Sequence, residues 1–326
     1  MKLCILALAA ATFALAQSTT TTYTPDLLNG GVIPLTTSTS SDHTQTQITQ
    51  SLNGRQVPLE QHEERVISRA ADGTVTTETI VRKYDPTGQL ASTERTVTEQ
   101  LTTPGGGSIV KSTIYKSDVN GDQQPAERRT VATIVSGATT TANTVVDRPS
   151  LDGSFQTTEK RAVVTTGTKD QSATTDSVYR ADTNGAFAEA ERKVITETHK
   201  GNQSVVSTTE YQPNGTVGGL QFQEQRVATT ITTPDGNQST LVDVYAPSAD
   251  GTVRSAGDAP QLKQQQIIRH EKRPDGSYAD VFSIREPSVS EPTMLGPPRT
   301  ITETVCTGKC DTAPVQAAPP DPAAKP

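Results

Sequence analysis

The sequence predicts an all-β protein of tandem antiparallel β-hairpins, with about 33 residues to a repeat and about 14 strands in an extended, twisted meander. Three observations carry this reading. Tight-turn dipeptides recur at a near-constant step: Gly54, Gly88, Gly121, Gly153, Gly185, Gly215 and Gly251 are separated by 34, 33, 32, 32, 30 and 36 residues. The segments between them are rich in Thr and Val, whose branched side chains suit a pleated, half-exposed surface. Two columns of residues also keep step with the turns. One is Tyr84, Tyr115, Tyr179, Tyr211 and Tyr245; the other is Glu64-Arg65, Glu94-Arg95, Glu127-Arg128, Lys160-Arg161, Glu191-Arg192 and Gln225-Arg226.

Residues 1–16 read as a secretory signal peptide. Lys2 supplies the charge, Leu3 to Leu15 the short apolar run, and Ala14-Leu15-Ala16 the small-x-small site, so cleavage is expected between Ala16 and Gln17. Residues 17–43 are Ser- and Thr-rich with Pro25, Asn29-Gly30-Gly31 and Pro34, and read as a flexible leader with a short strand at Val32–Leu35.

The hairpin array spans residues 44–286. A second set of turns alternates with the first: Asp72-Gly73, Gly105-Gly106-Gly107, Ser136-Gly137, Thr166-Gly167, Lys200-Gly201, Asp235-Gly236 and Asp275-Gly276. Each repeat therefore holds two strands and two turns. Asn-Gly and Asp-Gly suit type I′ hairpin turns, where both central residues need φ > 0. The spacing leaves strands of about 9–13 residues, and the columns predict a row of tyrosines and a row of arginines along the sheet. Prolines at 287, 292, 297 and 298 end the regular array. Residues 287–310 leave room for one terminal strand at Thr300–Val305 and carry a cysteine pair; residues 311–326, rich in Pro and Ala, are expected to be disordered.

Tyr84-Asp85-Pro86-Thr87-Gly88-Gln89-Leu90 resembles the Tyr-Asp-x-x-Gly-Arg-Leu core of the YD (RHS-type) repeats of bacterial surface and secreted proteins, with Gln89 in place of Arg. Only this unit matches; Tyr179–Gly185 and Tyr211–Gly215 keep a Tyr and a Gly at altered spacing. The resemblance implies tandem β-hairpins in an extracytoplasmic protein.

The hydrophobic fraction is 32%, there is no Trp, and aromatic residues make up 4%. Such a chain cannot fill a thick core, and around the tyrosines neither strand face is consistently apolar, so a mostly single-layered sheet is expected. The net charge of −7 argues against nucleic-acid binding, which needs a basic stripe. No apolar run after residue 16 is long enough to span a bilayer as a helix.

The chemistry-bearing residues form few constellations. His43, His62, His199 and His270 occupy different repeat positions and read as solvated strand histidines. Asp118, Asn120 and Asp122 carry oxygen side chains at the first, third and fifth positions of a calcium-loop pattern. However, Gly121 falls one place early and Arg129 stands where a bidentate carboxylate belongs, so a turn is favoured. Cys306 and Cys310 are the only cysteines after the signal and are expected to form a disulfide across Thr307-Gly308-Lys309. No catalytic constellation and no cofactor site is expected. The leading reading is an exported, non-enzymatic protein with a structural, surface-display or binding role. Its expected partners are a cell-envelope polymer, another surface protein or its own copies. The alternatives are a calcium-dependent adhesion module and a hydrolase of cell-wall polysaccharide.

Overall fold

The computed structural model describes residues 18–26, 31–40, 42–52, 55–118, 121–213, 219–247, 260–273, 277–288 and 294–306. The expected signal peptide, Asn53-Gly54, Asn120, Gly215, Gly251, Asp275-Gly276, Cys310 and the expected terminal tail lie outside these residues. The described chain is all-β and contains no helix.

The strands are β1 (Ser18–Asp26), β2 (Gly31–Thr39), β3 (His43–Leu52), β4 (Arg55–Arg69), β5 (Val75–Tyr84), β6 (Leu90–Thr102), β7 (Ser108–Ser117), β8 (Gln123–Ser136) and β9 (Thr139–Pro149). They continue as β10 (Phe155–Gly167), β11 (Gln171–Ala181), β12 (Phe187–Lys200), β13 (Gln203–Pro213), β14 (Leu220–Thr232), β15 (Gln238–Ala246), β16 (Gln261–Lys272), β17 (Tyr278–Arg285) and β18 (Arg299–Cys306). Strands β3 to β17 occupy the stretch whose turns predict the array. The surplus over the expected strand number lies largely outside it. β1 and β2 fall where a flexible leader is expected and pair along nine positions, from Ser18 opposite Thr39 to Asp26 opposite Gly31. β18 covers the expected terminal strand.

The chain divides into two units. One comprises residues 1–133 and 144–158, the other residues 134–143 and 159–326. In the first unit β1 to β8 pair in sequence order, every pair antiparallel. In the second, β10 to β18 do the same. This is the meander that alternating turn sets dictate.

Most first-set turns differ from the expected type. Gly88 N–H donates to Asp85 O at 2.9 Å, and Asp85 N–H donates to Gln89 O at 2.8 Å. The glycine is thus the fourth residue of the turn, not the third as in type I′. Gly121, Gly153 and Gly185 repeat the arrangement with Asp118, Ser150 and Asp182. These are three-residue hairpin loops whose glycine takes the left-handed position that re-enters the sheet, with φ between 81° and 87°. Asp85 and Asp182 reinforce the loop, each accepting two backbone N–H bonds on Oδ1.

The tyrosine column marks a second recurring device. Immediately before Tyr84, Tyr115, Tyr179, Tyr211 and Tyr245 the pairing slips by one residue. The extra residue lies on the following strand, at Ala91, Ala126, Ala190, Gln223 and Lys263 respectively. Like slips follow Ile48 in β3 and Phe282 in β17. Each is a β-bulge, which bends its strand and increases the local twist. Before β18, the bulged even-numbered strands are also the longer ones: β4 has 15 residues and β6 has 13, against 10 in both β5 and β7.

Neither unit has a thick core. Among described residues the buried apolar ones are Val146 (3% exposed) in the first unit and Val242, Val244 and Ala279 in the second. Most strands instead run through stretches of half-buried positions, with exposed residues mainly toward their ends. This matches the composition: thin sheet carries many Thr and few large apolar groups.

Candidate functional site

In the first unit, Arg95 on β6 and Tyr115 on β7 are directly opposite. The Arg95 guanidinium carbon lies 5.0 Å from the ring centre of Tyr115, a cation–π contact. The Arg95 Nε donates to Glu78 Oε1 at 2.6 Å, while Arg65 Nε donates to the other carboxylate oxygen at 2.6 Å. Glu78, on β5 between the two arginine strands, is only 4% exposed. The hydrogen bond from Arg95, with that from Arg65 beside it, holds the carboxyl below its ordinary pKa against the opposing effect of burial.

The pattern of cation over aromatic ring recurs. Arg128 on β8 lies 4.0 Å from the ring centre of Phe155 on β10, a strand pair away across β9. In the second unit Lys160 on β10 stands 4.2 Å from the ring of Phe187 on β12. Lys160 and Arg192 also face Tyr179 and Tyr211 across their strand pairs. Within each unit the two expected rows therefore run together as a mixed row, with Tyr115 opposite a cation in the first unit and Tyr179 and Tyr211 in the second.

A shallow concavity of about 290 Å³ opens over β6 to β9 in the first unit, bordered by Glu99, Lys111, Tyr115, Arg128 and Asp147 among others. Its walls carry both signs of charge and an aromatic face. Such a surface can hydrogen-bond and stack a polar ring or polymer lying along the sheet.

The second unit holds a cluster of another kind. His270 on β16 is directly opposite Asp280 on β17, with Nδ1 and Oδ1 2.7 Å apart. Its ring stacks on Tyr278 at 4.9 Å and 15°. Only 9% exposed, His270 is the exception to the expected solvated histidines. The strand period explains it: Tyr278 and Asp280 are two apart, so both lie on the face that His270 occupies. His199 is paired with Glu197 at 2.9 Å in an exposed position, as expected of a strand histidine at the surface.

For the calcium pattern, the structure places Asp118 and Asp122 at the ends of the β7–β8 turn. Asp118 Oδ1 accepts the Asp122 N–H at 3.0 Å, so this carboxylate serves the loop; Asn120 lies outside the described residues. Cys306 closes β18, and its expected partner Cys310 is outside them.

No protein-family model and no curated protein matches the chain. Among solved structures, a protein of unknown function from Bacteroides fragilis NCTC 9343 is similar at 14% identity with a TM-score of 0.28, over 40% of this chain and 89% of that one.

Proposed function

We propose that the chain is an exported, non-enzymatic β-repeat protein whose polar sheet surface serves a structural, display or binding role in the cell envelope. The observation that carries this reading is the mixed row of cations and aromatic rings along a sheet that stays half-wet. Catalytic pockets are concave and largely apolar, whereas this surface offers shallow, repeated polar contacts suited to an extended partner. The cleavage expected after Ala16 supplies the route to the envelope, and an oxidising compartment would pair Cys306 with Cys310.

Retention on insoluble envelope polysaccharides tests the reading. The unaltered chain is expected to be retained, and the double substitution Tyr115→Ala, Arg128→Ala is expected to weaken retention while far-UV circular dichroism stays β-type. Equal retention of the two proteins would remove the row as the binding surface. Sequencing of the exported protein should begin at Gln17, and intact mass should show the two thiols lost to a disulfide.

A further inference from the structure

We propose that the concavity over β6 to β9 of the first unit takes a uronic-acid residue of an acidic polysaccharide. This ligand class rests on the envelope-binding role proposed above and narrows it from polar polymers at large to carboxylated ones.

The strand register puts the lining on one face. Lys111, Thr113 and Tyr115 alternate along β7, opposite Glu99, Val97 and Arg95 on β6. On the other side Lys111 faces Thr130 and Thr113 faces Arg128 on β8. Residues two apart on a strand, and residues directly opposite across a pair, share a face. Glu78 on β5 is opposite Val97, so the bridge from Arg65 through Glu78 to Arg95 lies on this face as well.

Along that face the balance of charge changes. Arg65 and Arg95 share Glu78, and Arg82 holds Glu63 at 3.0 Å. On β7 and β8 the cations lose their carboxylates. Among the described residues Lys111 enters no ion pair, and Arg128 enters none either, its guanidinium carbon lying 4.0 Å from the Phe155 ring centre. Both side chains are exposed. Arg129, the remaining cation at the concavity, is held by Glu127 at 2.9 Å.

The carboxylates stand on the outer strands. Glu99 on β6 is across from Lys111, and Asp147 on β9 accepts the Thr157 hydroxyl at 2.7 Å. The surface is thus cationic on its two central strands and anionic on its two outer ones. A sugar ring with one carboxylate satisfies both: the acid group seats between Lys111 and Arg128, and ring hydroxyls donate to Glu99 and Asp147. A polymer with a doubly charged group on every unit meets the outer carboxylates as like charges. Tyr115, with Arg95 against its ring at 5.0 Å, adds an aromatic wall. The volume of about 290 Å³ is close to the lower bound of small-ligand sites, roughly 300 Å³, and suits a ring or two rather than a long oligomer.

The test is affinity electrophoresis of the whole chain in native gels containing polygalacturonate, its methyl-esterified counterpart, a neutral β-glucan or polyphosphate. Esterification removes the charge and keeps the ring. The chain is expected to bind polygalacturonate roughly tenfold more tightly than the ester or polyphosphate. Salt should weaken that binding, because solvent-exposed charges are screened. Lys111→Gln and Arg128→Gln should each weaken it about threefold, as befits exposed ion pairs, with urea unfolding showing that both variants are folded. Lys116→Gln, on the opposite face of β7 and paired with Glu94 at 3.9 Å, should leave it unchanged. Equal affinity for the acid and its ester, equal affinity for polyphosphate, or unaltered binding by both the Lys111 and Arg128 variants overturns the uronate assignment, while retention on insoluble envelope polysaccharides leaves the binding role standing. Retention on no glycan at all overturns the binding role and this ligand class together.

Discussion

Arg95 serves two partners at once: its Nε holds Glu78 at 2.6 Å while its guanidinium covers Tyr115 at 5.0 Å. Glu78 in turn bridges to Arg65, so one carboxylate ties β4, β5 and β6 together. Glu78→Gln keeps the shape but gives up the charge on which both arginines depend. Charge-assisted bonds are worth more than neutral ones, yet solvent reaches both arginines, so a loss of about 1 kcal/mol is expected. Urea unfolding would read it as a lower midpoint with an unchanged slope; an unchanged midpoint would show the bridge contributes nothing.

Gly121 has φ of 87°, and a Cβ built there meets no atom within 4 Å. The cost of Gly121→Ala is therefore the backbone conformation alone, about 1 kcal/mol or more. The substitution is expected to destabilise more than Thr113→Ala in the neighbouring strand. Equal urea midpoints for the two would contradict the assignment of the turn.

His270→Ala should cost about 1–2 kcal/mol, since it removes a stacked ring and leaves Asp280 without its partner. His199→Ala, at an exposed position, should stay within about 0.5 kcal/mol of the parent. Thermal melts of the two variants compare the sites directly, and similar melting points would mean that burial of His270 carries no energetic weight.

Acid should destabilise the fold. Glu78, Glu63 and Glu189 are held below the usual carboxylate range chiefly by hydrogen bonds from Arg95, Arg82 and Arg192 respectively. Asp152 is lowered from 3.8 to about 2 by the Ser150 and Ser154 hydroxyls and the Ser154 N–H. Carboxylates with a lower pKa in the folded state contribute stability above their unfolded pKa, and that contribution disappears as pH falls through the folded value. Melting temperature should thus be level above about pH 5 and decline from about pH 4 downwards. A melting temperature that rises on acidification across that window would show that other groups dominate.

Much of the fold is legible because turn chemistry punctuates it. Asn-Gly and Asp-Gly at a constant step locate β3 to β17, and the Thr and Val between them identify the segments as strand. The turn type is not legible, since the same dipeptide can place its glycine third or fourth, and only the hydrogen bond from Gly88 to Asp85 decides. The bulges are marked by Ala91, Ala126 and Ala190, each shortly before an arginine, yet Ala signals nothing until the register is known. β1 escapes notice, and β2 is foreseen only as a short strand at Val32–Leu35, because a Ser/Thr-rich stretch also describes a linker; Thr's branching favours strand only when a partner strand is available. The burial of His270 depends on Tyr278 and Asp280 from the neighbouring strand, which no local spacing reveals.

Each of these bulges lies inside its own hairpin, so the bend recurs with the turn rather than accumulating between hairpins. Whole repeats are therefore interchangeable parts. Excising residues from one tyrosine-column position to the next brings together strands of the same kind, polarity and bulge phase, while a cut of half that length does not. The natural coordinate along this protein is the repeat count, and its length can change by integers while the alternation of strand direction is kept.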